Sequence, residues 1–67
     1  MKRFVVHIAI LQHLETTRAS RIVVFLTEEV LTAIHFASID LVEGEYVSKV
    51  TIDLYGYSHT VWDYLNG

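Results

Sequence analysis

The sequence predicts an α+β domain, a four-stranded antiparallel sheet with one helix on one face in the order ββαββ. Three observations carry this: two β-branched apolar stretches near the N-terminus split by a short polar segment, an apolar stripe at helical spacing, and a later stretch of strict alternation. At 67 residues the chain is read as one domain over 1–67, because two separate cores could not each offset the entropy of ordering the chain.

From Arg3 to Leu14, Phe4, Val6, Ile8 and Ile10 fall on one parity and Val5, His7, Ala9 and Leu11 on the other. This reads as a long strand covered on both faces, with a buried helix as the competing reading. Glu15 to Ser20 is polar and reads as a turn, and Arg21 to Leu26 (RIVVFL) supplies a second strand, so the pair forms a hairpin. Thr27 has the character of a helix N-cap, with Glu28 and Glu29 at the positive end of the helix dipole. Leu26 and Leu31 would then form a hydrophobic staple.

Val30, Ala33, Ile34, Ala37 and Leu41 draw the stripe that packs on the sheet, and Gly44 is expected to end the helix in the left-handed conformation. Tyr46 to Leu54 alternates, with Tyr46, Val50, Ile52 and Leu54 pointing one way and Val47, Lys49, Thr51 and Asp53 the other. After a turn marked by Gly56 and Ser58, His59 to Leu65 forms a fourth strand with Thr60, Trp62 and Tyr64 on one side. A terminal helical turn grouping Val61, Trp62 and Leu65 is the alternative.

Composition sharpens the functional reading. Apolar residues make up 52% of the chain, with neither cysteine nor proline. A domain this small hides only about 60% of the surface its unfolded chain exposes, so part of the apolar material is expected on the outside, where a second copy or another protein would cover it. The lack of cysteine fits a reducing cytoplasm. A net charge of −3, with Lys2, Arg3, Arg18 and Arg21 in the first third and Lys49 alone thereafter, argues against binding a phosphate backbone. The longest nearly apolar run, Phe4 to Leu11, falls far short of the roughly 20 residues that span a bilayer, and no small-residue cleavage site follows it. Neither nucleic acid nor membrane is therefore expected as a partner.

No catalytic, metal or cofactor site is expected either. His7 and His13 share parity but lie about 20 Å apart in a strand, too far for one ion, and His35 and His59 read as surface positions. Ser58, His59 and Asp63 have the residue types of a nucleophilic triad, yet they crowd together with nothing to supply an oxyanion hole. Asp40, Glu43 and Glu45 read as a solvated helix end, and no glycine-rich phosphate loop is present.

Weight falls instead on the aromatic residues Tyr55, Tyr57, Trp62 and Tyr64, with Asp53 and Asp63 beside them. Tyrosine and tryptophan bring large contact area at low entropic cost, and an acidic rim would favour a protein partner of basic character. A local lid over the helix or sheet is the competing reading.

The apolar strands RFVVHIAIL and RIVVFL and the helical segment TEEVLTAIHFASIDL give an organisation that resembles small phage-encoded host-takeover and anti-defence proteins. Among these it is similar to antitoxins that pair strands with one helix and block a host toxin by occupying its active site. The resemblance implies an inhibitor without enzymatic activity, and it carries no individual functional residue. The leading expectation is thus a protein-binding module, a homodimer or small oligomer, that masks a site on a host or partner protein. The alternatives are a self-assembling structural subunit and a small ligand-binding or enzyme domain with a pocket between subunits.

Overall fold

Apolar residues on both faces suit a strand to the middle of a sheet, and β1 (Lys2–Leu11) takes that place. The computed structural model describes residues 1–11 and 17–66, in which β1 is followed by β2 (Thr17–Thr27), α1 (Val30–Ile39), β3 (Glu45–Leu54) and β4 (Tyr57–Asp63). The four strands form one antiparallel sheet in the order β2-β1-β3-β4, so β2 and β4 are its edges. This is the expected ββαββ, α+β architecture.

The helix packs on one face. Phe4, Val6 and Ile8 of β1 meet Ala33 and Ala37 of α1 and Val47, Val50 and Ile52 of β3 in the core, flanked by Val23, Phe25, Val30, Ile34, Leu41 and Trp62. The small residues Ala33 and Ala37 let the helix sit close to the sheet, and the Phe36 ring reaches the Phe25 ring of β2 at a centroid distance of 6.0 Å. On β4, Tyr57 to Val61 stay exposed because the helix lies over the other three strands.

Several local expectations give way to pairing. Residues Thr17 to Ser20, read as part of a turn, belong to β2, where Ala19 faces Ala9, Arg18 faces Ile10 and Thr17 faces Leu11. A long β1 offers a ladder that their polar composition does not refuse. The expected end of the first strand at Leu14, most of the turn before Thr17, and His13 lie outside the described residues.

Thr27 does not cap the helix: it closes β2 opposite Lys2, and α1 begins after Glu29, whose backbone is extended and whose side chain makes no capping hydrogen bond. A strand pair satisfies the Thr27 backbone more completely than a cap would. Leu26 and Leu31 are both exposed, so no staple forms. At its other end the helix stops at Ile39, short of Gly44. Gly44 instead adopts φ 89° in the turn that leads into β3, where the Glu45 N–H donates to the Val42 carbonyl at 3.0 Å.

β-Bulges correct the expected faces of β3 and β4. His7 pairs with Lys49 but Ile8 pairs with Val47, leaving Ser48 as the extra residue. The slip turns Val47 into the core and Tyr46 onto the open face, the reverse of simple alternation. Ser48 is held from both sides: its hydroxyl donates to the His7 carbonyl at 3.0 Å, and its carbonyl accepts from the Tyr64 N–H at 2.9 Å. In β4, Val50 pairs with Trp62 and Thr51 with Thr60, so Val61 is the extra residue and Thr60 and Trp62 point to opposite faces. The strand ends at Asp63, and Tyr64 to Asn66 form a turn.

Candidate functional site

The β3–β4 hairpin closes through Tyr55 and Gly56, both with positive φ, between the paired residues Leu54 and Tyr57. Two consecutive left-handed residues match the twist of a hairpin, and Asn-Gly is the pair that enters this turn most cheaply. Tyr55, at φ 51°, takes the asparagine position with its side chain 97% exposed. Its ring rests on nothing that would offset the unfavourable backbone. Tyr57 is also exposed, and its partner Leu54 lies on the helix side of the sheet.

Beside this tip, the late start of α1 uncovers a hollow of about 500 Å³ lined by Lys2, Phe4, Glu28, Glu29, Val30, Ile52, Leu54 and Val61. Phe4, Ile52, Leu54 and Val61 supply an apolar floor, and Glu28 and Glu29 bring two carboxylates to the edge. The Glu28 carboxylate lies 3.3 Å from the N-terminal ammonium. Lys2 and the N-terminal ammonium stand on the same edge, so a rim with charges of both signs surrounds an apolar floor, which suits an apolar side chain with charged neighbours.

The other residues expected at the site go elsewhere. Trp62 is half-buried against the core rather than exposed, because the Val61 bulge turns it to the helix side. Asp53 is engaged with Arg3, whose Nη1 donates to its Oδ2 at 2.7 Å. Tyr64 lies past the far end of β4, about 20 Å along the strand from Tyr57. There it meets a residue that the sequence did not single out, Tyr46, with ring centroids 4.8 Å apart.

These two rings, with Ser48, Lys49, Asp63, Leu65 and Asn66, line a second hollow of about 470 Å³. Asp63 accepts from the side-chain amide of Asn66 at 3.1 Å and from its backbone N–H at 2.8 Å. Those hydrogen bonds hold its carboxyl below the usual carboxylate range. The structure therefore divides the expected cluster into a hairpin tip (Tyr55, Tyr57), a core residue (Trp62) and a distal pair built on Tyr64.

The open sheet face carries His7, half-buried between Ile22 of β2 and Lys49 of β3, with Nε2 3.3 Å from the Thr51 hydroxyl. Burial, and secondarily the Lys49 charge, lower its pKa from the ordinary 6.5. On β2 the same face exposes Ile22 (56%), Val24 (42%) and Leu26 (63%).

Among the described residues no group of three His, Asp or Glu is placed to hold a metal ion, and no helix is long and apolar enough to cross a membrane. Ser58 and His59 point to opposite faces of β4 and Asp63 lies at its other end, so these three do not converge. A comparison of the chain with protein-family models, curated proteins and solved structures finds no match.

Proposed function

We propose that this chain is a small protein-binding module that acts by covering a site on a partner protein, with the β3–β4 hairpin tip as its point of entry. The observation that carries this reading is Tyr55: an aromatic side chain displayed to solvent at a backbone position that disfavours it. Backbone strain without a packing return is a mark of function rather than of stability. The adjoining hollow, with its apolar floor and its rim of Lys2, Glu28 and Glu29, supports a partner that offers a large apolar residue with charged neighbours. Inhibition by occlusion requires complementary surface and nothing more, in the manner of the phage proteins the chain resembles. The absence of cysteine supports a cytoplasmic setting.

The test is affinity capture from bacterial lysate with the wild-type chain and a Tyr55→Asn/Tyr57→Thr double variant as parallel baits. A stoichiometric protein retained by the wild type and reduced at least tenfold with the variant is expected. Equal recovery by both baits would remove the hairpin tip from the site, and the absence of any stoichiometric partner would sink the reading.

A further inference from the structure

Edge strands in monomeric proteins are kept from pairing by lysine, proline, bulges or brevity. β2 is an edge of the sheet and runs for 11 residues, and from Ile22 to Leu26 it carries no charge, proline or bulge. Its register against β1 skips Ser20, which leaves Arg21 to Thr27 as the regular stretch. The centre of that stretch is Val24.

We infer that the free edge of β2 pairs antiparallel with β2 of a second copy of this chain, about a two-fold axis at Val24, to make one continuous eight-stranded sheet. Two copies joined through the same edge must have that axis normal to the sheet, which keeps both open faces on one side. Opposed residues then share parity, and a centre at Val24 pairs every residue of the regular stretch. Val24 meets Val24 of the second copy, Ile22 meets Leu26, and Val23 meets Phe25. The exposed trio Ile22, Val24 and Leu26 becomes one apolar strip across the joint.

The stretch is its own best complement. Ile22 to Leu26 is apolar at every position on both sides of Val24, so a second copy presents an edge of equal length and matching character. The pairing redirects no ion pair: Arg21 stays with Glu45 and the Asp40 carbonyl, and Glu28 with the N-terminal ammonium. The inference goes beyond the proposed function and does not rest on it, since the hairpin tip lies by the opposite edge of the sheet.

Because the chain has no cysteine, an introduced thiol reports alone. Light scattering on the wild type should give about twice the 7.7 kDa of one chain. Under mild oxidation Val24→Cys should cross-link to itself, since opposed residues stand about 5 Å apart. Ile22→Cys alone should not, because its copy is offset by about 13 Å, whereas an equal mixture of Ile22→Cys and Leu26→Cys should form a mixed dimer. A single-chain mass at roughly 100 µM, or Ile22→Cys cross-linking as readily as Val24→Cys, would overturn the inference. Val24→Lys should yield a folded monomer that still captures whatever protein the wild type captures, which separates failure of the dimer from failure of the proposed function. If that variant does not fold, the cross-linking pattern decides alone.

Discussion

Arg21 and Glu45 close a fork between β2 and the start of β3. The Arg21 Nη2 donates to Glu45 Oε1 at 3.0 Å and its Nε to Oε2 at 3.2 Å, and the carboxylate is 94% withdrawn from solvent, its side chain being 6% exposed. The same guanidinium donates to the Asp40 carbonyl at the end of α1, while Glu45 accepts from the Val42 N–H. One pair thus fastens helix, loop and two strands, and it lets the helix end at Ile39. Arg21→Ala leaves the Glu45 carboxylate withdrawn from water without its guanidinium, whereas Glu45→Gln keeps an acceptor for Val42 and carries no charge. Arg21→Ala is therefore expected to lower Tm by roughly 5 °C or more, and by more than Glu45→Gln does, as read by circular dichroism melts.

Tyr55→Asn should stabilise the fold by about 0.5–1 kcal/mol, because asparagine enters the left-handed region with less strain. Urea denaturation reads the sign. A loss of stability would mean that the tyrosine ring contributes to the folded state, and the argument from strain would fail with it.

His7 ties stability to pH in one direction. Its pKa is lowered in the folded state by burial and by Lys49, so the unfolded chain binds the proton more tightly. The contribution is complete above the ordinary 6.5 and is lost as pH falls from there through the folded-state value. Urea melts at pH 7.5 and 5 should show a smaller pH dependence for His7→Gln, which retains a partner for Thr51 without titrating. An unchanged pH dependence would assign the effect to other groups.

The Ser48 bulge makes a prediction opposite to that of plain alternation. Val47→Ala should cost about 2 kcal/mol as a core truncation, and Lys49→Ala less than about 0.5 kcal/mol. Equal costs would place Val47 outside the core.

The element order was legible in the sequence because composition and periodicity act at the scale of whole elements: the apolar parity of Phe4, Val6 and Ile8 and the Val30 to Ala37 stripe lead to the core, although Ala9 is buried where the parity pointed to Ile10. What escaped were contests between a local signal and a distant one. Thr27, Glu28 and Glu29 make a strong capping signal, and pairing of Thr27 with Lys2 overrode it. Bulges are harder still, since Ser48 and Val61 carry no mark that distinguishes them from ordinary strand residues, and each reverses every face beyond it. That is why Tyr46 was missed beside Tyr64, and why Trp62 was grouped with exposed tyrosines. Tyr55 was visible as an aromatic, but its backbone strain belongs to the turn and can be read only there.

The central position of β1 also governs the timing of assembly. Its partner on one side, β2, follows it closely, but on the other side 44 positions separate His7 from Thr51 of β3. At the ~5–20 residues per second of ribosomal synthesis, that interval lasts on the order of several seconds. Through the first part of it the nascent β1–β2 hairpin has no helix over Phe4, Val6 and Ile8, and even after α1 emerges the second edge of β1 stays open until β3 arrives.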